Sequence, residues 1–260
     1  MEKLEPIGRI LCAQRYRYEA PRQGVLRPDN QAMIELSAGR GYEDGLTGLE
    51  GFERIWVIFE LHLNESWHPF VQPPHEGAAR RGVFATRSPH RPNRIGMSCV
   101  RLLGIDGLCL SVAGHDLLDQ TPVLDLKPYV PYADAFPDAA AGWLQEVPAN
   151  LYEMSFDADA ATQAAWILQE GGLDCDNFAQ VQLAEDPTDT ERKRIKAGPT
   201  AGVWEIAYRT WRLDYMVNEA ECSLRVTAIR SGYSAEDLVE GSVDRHKDKD
   251  VHRAYRERFS

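Results

Sequence analysis

The 260 residues carry 29 Lys and Arg against 40 Asp and Glu, a formal net charge of -11. A chain of that sign is not a broadly basic nucleic-acid binder, so any contact with nucleic acid has to be local and salt-dependent. With 43% hydrophobic and 27% charged residues the composition is that of a globular protein, and no apolar run reaches the roughly 18 to 20 residues of a membrane span. The length allows one large core or two smaller ones. The opening Met1-Glu2-Lys3-Leu4-Glu5-Pro6 lacks a signal-peptide pattern. Cys12, Cys99, Cys109, Cys175 and Cys222 are odd in number and never form a C-x-x-C pair, which argues against a disulfide framework or a cysteine zinc site. The expectation is a cytoplasmic protein with reduced thiols, no metal and no membrane association.

In chain order, residues 7–12 read as an opening strand, followed by a polar loop through Pro21-Arg22-Gln23. A second strand covers 31–36, and Gly39 and Gly41 lead to a short helical segment that stops near Gly48. Residues 55–63 are nearly all apolar and rich in branched and aromatic side chains, which predicts a strand buried on most of both faces. Val83 to Ala85 and a segment from Ile95 read as strands around a loop stiffened by Pro89 and Pro92. Met97 to Leu103 and Leu108 to Ala113 flank the turn Gly104-Ile105-Asp106-Gly107, and 123–127 supply another strand. Short strands joined by Gly and Pro turns, without regular strand-helix alternation or a G-x-G-x-x-G loop, predict an all-β barrel rather than a Rossmann fold.

Prolines at 128, 131, 137 and 148 place the end of this N-terminal domain near residue 150 (domain 1–150). Residues 151–230 are expected to form a smaller α+β C-terminal domain: a helix over 158–169 stopped by Gly171-Gly172, a second over 178–184, then strands at 202–208, 211–216 and 222–229. Residues 231–260 are dominated by charge and read as a mobile tail or surface helix.

One stretch departs from the acidic background. Between Glu76 and Asp106 there is no carboxylate, yet Arg80, Arg81, Arg87, Arg91, Arg94 and Arg101 all fall there. The order Gly82-Val83-Phe84-Ala85-Thr86-Arg87-Ser88-Pro89-His90-Arg91-Pro92-Asn93-Arg94-Ile95-Gly96-Met97-Ser98 resembles the signature loop of the TsaA/TrmO family of S-adenosylmethionine-dependent tRNA methyltransferases. Pro21-Arg22-Gln23, residues 48–52, 56–62 and the run from Leu117 to Tyr129 resemble further blocks in family order.

The resemblance implies a β-barrel methyltransferase, usually a homodimer, that uses S-adenosylmethionine to methylate N6 of threonylcarbamoyl-adenosine at position 37 in the tRNA anticodon loop. It carries cofactor binding onto Pro21, Arg22, Gln23, His62, Leu63, Arg87, Met97, Asp116, Leu117, Leu118 and Asp119. The residue types suit the task, since guanidinium forks match a carboxylate and acids match an ammonium or ribose hydroxyls. Asp119 is the candidate proton acceptor for the adenine amine. Arg91 and Arg94, with Lys127 and Tyr129, are expected to select the carboxylate of the modified base. Two departures stand out: Gln120 replaces a family Gly, and in the second domain an arginine-aromatic block survives only as Asp186-Pro187. Alternatives are the same cofactor chemistry on another nucleotide or small substrate, or a non-catalytic S-adenosylmethionine-binding module.

Overall fold

The structure, a computed structural model, describes residues 4–73, 79–146, 151–191 and 194–259. The chain divides into two compact units, Met1–Val147 and Pro148–Ser260; the expected boundary near 150 falls outside the described residues.

The first unit is a closed antiparallel barrel. Its strands are β1 (Gly8–Leu11), β2 (Gln31–Leu36), β3 (Arg54–Glu60), β6 (Ile95–Asp106), β7 (Cys109–Ala113) and β8 (Pro122–Pro128), in the order β1-β2-β7-β6-β3-β8. Between β3 and β6 lies a small hairpin of β4 (Phe70–Val71) and β5 (Arg81–Gly82). Alternate residues point inward, so Ile10, Ile34, Ile55, Val57, Val100, Leu110, Val112 and Val123 are fully buried. Strand β3 alternates too, rather than burying both faces. A barrel strand has one inner face, and outside it Trp56 lies against Tyr129 and donates from Nε1 to Asp134 Oδ2 at 3.1 Å. Two short helices, α1 (Tyr42–Gly45) and α2 (Pro131–Asp134), complete the unit.

Two sequence expectations need correction here, and the Gln120 departure leaves the turn geometry in place. Val83–Ala85 is a 3-10 turn, not a strand. The long hairpin of β6 and β7 turns at 107–108, two residues later than the middle of the expected turn, and carries a register shift between Leu102 and Gly104. Gln120 keeps the left-handed backbone that a glycine would favour, with φ 62°. Its side chain bridges Arg9 and Asp119.

The second unit holds a five-stranded sheet in the order β10-β11-β12-β13-β9, formed by β9 (Glu153–Phe156), β10 (Ile195–Ala197), β11 (Trp204–Tyr208), β12 (Trp211–Asn218) and β13 (Ser223–Ser231). Only the pair β9/β13 is parallel among the described pairings. Helix α3 (Ala158–Gly171) stops at Gly172, whose φ of 64° suits a left-handed cap, and α4 (Cys175–Leu183) starts under the Asp174 side chain, which accepts the Asn177 N–H.

Of the two readings offered for the segment after residue 230, the helix is the one seen within residues 231–259. They end in helix α5 (Lys249–Phe259), whose Tyr255 packs in the same core as Trp211, Leu213 and Ile229. The apolar stripe His252, Tyr255, Phe259 follows helical spacing, but six charged residues among eleven hide it. No described helix is long and apolar enough to cross a membrane.

Candidate functional site

At one end of the barrel lies an open cleft of about 580 Å³, within the range of small-ligand pockets. Five separate segments build it. The loop after β1 brings Pro21, Arg22 and Gln23. The end of β3 and the turn beyond bring Phe59, Glu60, His62, Leu63 and Asn64. The basic loop brings Arg87 and Arg91, β6 brings Ile95, Gly96 and Met97, and the turn after β7 brings Asp116, Leu117 and Leu118.

Two glycines allow these segments to approach. A Cβ on Gly24 would lie 2.0 Å from the Gly114 carbonyl oxygen, so only glycine lets the 21–24 loop press against the chain leaving β7. A Cβ on Gly96 would lie 2.4 Å from the Phe59 ring, which crosses β6 at the cleft floor because that atom is missing.

The wall of residues 115–118 is fixed from behind. His115 is completely buried. Its Nδ1 accepts the Leu117 N–H at 3.2 Å while Nε2 faces the Gln31 carbonyl at 3.2 Å, which assigns the proton to Nε2. Burial lowers its pKa and keeps the ring neutral, as that pattern needs. Asn30 donates to the His115 carbonyl at 3.2 Å and accepts from Gln14 Nε2 at 2.9 Å. Asp116 then reaches the cleft. Burial pushes its carboxyl above the usual range, opposed by a hydrogen bond from the Ser98 hydroxyl and by the nearby Arg87 charge.

The basic loop is held by its own side chains. Arg91 Nη1 points at three carbonyls, of Thr86 at 2.9 Å, Val83 at 3.3 Å and Ser88 at 3.5 Å, and its guanidinium lies over the Phe84 ring at 5.8 Å. Trp143 Nε1 donates to the Ala85 carbonyl at 2.8 Å and receives Arg81 over its ring at 5.5 Å. Arg87 Nη1 donates to Gln23 Oε1 at 2.5 Å, joining the basic loop to the 21–24 loop across the cleft.

Ten of the residues that the resemblance assigned to the cofactor meet here: Pro21, Arg22, Gln23, His62, Leu63, Arg87, Met97, Asp116, Leu117 and Leu118. Asp119 does not line the cleft. Its Oδ1 accepts the Cys12 N–H at 3.1 Å and its own N–H donates to the Gln14 carbonyl at 2.7 Å, so it fastens the turn to the chain after β1. Of the expected substrate residues only Arg91 lines the cleft. Arg94 pairs with Glu60 at 2.7 Å, Lys127 with Asp125 at 3.0 Å, and Tyr129 lies against Trp56.

Sequence reasoning missed Asn64, Ser98 and His115. Asn64 is 7% exposed, lines the cleft, and its Oδ1 has no hydrogen-bond partner among the described residues. It stands two places after His62, and His115 stands one before Asp116; adjacency to a recognised block was the available signal.

Residues 10–135 match the family model of the tRNA-methyltransferase O N-terminal domain. The chain is 38% identical over 209 residues to the tRNA (adenine(37)-N6)-methyltransferase of Escherichia coli strain K12, covering 78% of this chain and 88% of that relative. It is 39% identical over 144 residues to an Archaeoglobus fulgidus protein named "Probable S-adenosyl-L-methionine-binding protein", covering 55% of this chain and 38% of the other. A crystal structure of TrmO from Pseudomonas aeruginosa aligns with a TM-score of 0.63 at 30% identity, over 89% of this chain and 99% of that one. The chain belongs to the tRNA-methyltransferase O family.

Proposed function

We propose that the protein is an S-adenosylmethionine-dependent tRNA methyltransferase that methylates N6 of threonylcarbamoyl-adenosine at position 37 of the anticodon loop, working as a homodimer in the cytoplasm. The observation that carries this reading is the convergence of ten residues, picked by their order in five distant segments, on one cleft. Separate structural roles for those residues give no reason for them to meet.

The donor set fits the cofactor. Arg22 and Arg87 offer guanidinium groups for its carboxylate, and Asp116 offers an anion for its ammonium or ribose hydroxyls. The unsatisfied Asn64 Oδ1 offers an acceptor that a ligand N–H would complete. Phe59, Ile95, Met97 and Leu117 supply apolar surface for a purine. Bound there, S-adenosylmethionine would supply an electrophilic methyl group on a positive sulfonium.

The protein's own work is to hold, orient and accept a proton. Methyl transfer is an in-line displacement, so most of the rate comes from fixing donor and nucleophile in line and excluding water. The adenine amine loses a proton as its nitrogen becomes substituted. Asp119 is fastened elsewhere, so the proton acceptor in this proposal is Asp116, whose raised pKa makes the carboxylate a better base. An anticodon loop is single-stranded, which lowers the cost of turning a base into the cleft.

The test is incubation with labelled S-adenosylmethionine and tRNA with or without the threonylcarbamoyl group, followed by location of the label. The expected result is label on N6 of adenosine 37 in modified tRNA alone. Label in both pools removes the substrate assignment, and stoichiometric cofactor binding without transfer removes the enzymatic one.

A further inference from the structure

Phe84 has no role in the site described above, yet its ring stands beside it. It lies in the 3-10 turn Val83–Ala85 at the start of the basic loop and is 76% exposed, while its neighbour Val83 is buried. Among the described residues the only cation or ring that meets it is the Arg91 guanidinium, 5.8 Å from the ring centroid. Arg91 also lines the cleft, so the ring belongs to the cleft rim. An exposed aromatic ring leaves apolar surface in water that a flat partner can cover.

The turn that carries it is held in shape. Thr86 donates to the Val83 carbonyl twice, from its N–H at 3.2 Å and from its hydroxyl at 3.0 Å. Arg91 holds the Val83 and Thr86 carbonyls, and Trp143 holds that of Ala85. A ring presented on a turn fixed in this way loses little freedom when a partner covers it.

Charge narrows the partner. Residues 80–101 contain no acid. Arg80 lies over the Phe70 ring at 5.9 Å, Arg81 over Trp143 at 5.5 Å and Arg91 over Phe84. None of these three pairs with a carboxylate among the described residues. Three guanidinium groups rest on aromatic faces in place of acids, which leaves their charge for a partner. A second copy fits this patch poorly, because a two-fold contact centred on it would bring the same arginines together. A partner with flat apolar faces and regularly spaced negative charge is an unpaired nucleic-acid strand.

We propose that Phe84, backed by Arg91, is a stacking platform on the cleft rim for an unpaired nucleobase next to the one that enters the cleft, with Arg80 and Arg81 beside its phosphates. The proposal rests on the reading that the cleft acts on RNA. Stacking on an aromatic ring tolerates any base, so the platform supplies affinity and register, while selection of the modified base stays in the cleft.

The experiment compares wild type, Phe84→Ala, Phe84→Leu, Phe84→Trp and Arg80→Ala for equilibrium binding of an anticodon stem-loop RNA over a range of salt. Calorimetry with S-adenosylmethionine and solution mass are measured in parallel. Phe84→Ala and Phe84→Leu are each expected to lose about tenfold in RNA affinity, with unchanged cofactor affinity and an unchanged salt slope because no phosphate contact is removed. Leucine keeps the apolar bulk and loses the flat face, whereas Phe84→Trp keeps the face and should bind at least as tightly as wild type. Arg80→Ala should lower the slope of log affinity against log salt by about one unit. Wild-type RNA binding by the alanine or leucine variant overturns the platform alone, and an unchanged slope for Arg80→Ala overturns the phosphate contact. A fall in cofactor affinity at Phe84 overturns the platform in favour of a role in shaping the cleft, and a change in solution mass overturns it in favour of a contact with a second copy. Wild type that binds the cofactor but no stem-loop overturns the RNA reading as well.

Discussion

Among the described residues two histidines are sealed completely from solvent, one in each unit, and their surroundings differ in kind. Around His115 the hydrogen bonds hold the cleft wall through Leu117 and Asn30 and end on Gln14, whose Oε1 has no partner among the described residues. Around His252 they close on themselves. Nδ1 meets Ser231 Oγ at 2.8 Å, Nε2 meets Thr210 Oγ1 at 2.9 Å, and Asp248 accepts from both Thr210 and Tyr233, at 2.6 and 2.8 Å. His252 also stacks on Trp211, with centroids 3.8 Å apart. The buried polar groups around His115 hold the wall of the cleft, whereas those around His252 dock helix α5. Changes near the cleft should therefore cost binding or rate with little stability, and changes near His252 should do the reverse.

The largest effect is expected at Asp116. Asp116→Asn should lower kcat by about 10²- to 10⁴-fold, the usual range for a lost general base. The wild-type rate should rise with pH through a midpoint above the ordinary carboxylate range, because burial raises that pKa, and the variant should lose this acid limb. A carboxyl whose pKa rises on folding costs stability once it ionises, so the asparagine variant should melt no lower than wild type near neutral pH. A large drop in melting temperature would break the comparison.

His252 tests the other side. Burial, only partly opposed by Asp248, lowers its pKa to about 4, against an unfolded value near 6.5. The unfolded chain therefore binds the proton more readily. This contribution is fully present above about pH 6.5 and is lost as the pH falls toward 4, worth up to about 3 kcal/mol. Hydrogen exchange of α5 amides followed from pH 7 to 4 should show the helix opening with this profile, and His252→Gln should flatten it. Exchange that is independent of pH would remove the role assigned to the buried network.

Arg87 comes next. Arg87→Ala removes the link to Gln23 and the charge beside Asp116, and should weaken S-adenosylmethionine binding about 10- to 100-fold by calorimetry. Unchanged cofactor affinity with weaker tRNA binding would reassign Arg87 to the RNA.

The barrel was readable because its strands are short and joined by turns that carry Gly and Pro, and most of the cleft because whole blocks keep their order. The packing of helix α5 into the core was not, because its buried stripe is diluted by six charged residues. Nor was the division of labour between acids. Asp116 and Asp119 are three residues apart in one recognised block, and nothing in the sequence says which side chain lines a cleft and which one ties a turn. That difference comes from the Cys12 N–H on one side and the Ser98 hydroxyl on the other, both far away in the chain.

Asp119→Asn is the smallest effect and the sharpest test of that division. Asparagine keeps a side-chain oxygen for the Cys12 N–H, so the turn before β8 should hold, and kcat and cofactor affinity should both stay within about threefold of wild type, less than one modest hydrogen bond is worth. If Asp119 were instead the proton acceptor, the same substitution would remove the base without disturbing the turn, and kcat would fall by orders of magnitude at constant KM for the cofactor. Paired with Asp116→Asn in the same assay, the outcome assigns the proton to one carboxylate, because a turn fastener and a base respond oppositely to a neutral isostere.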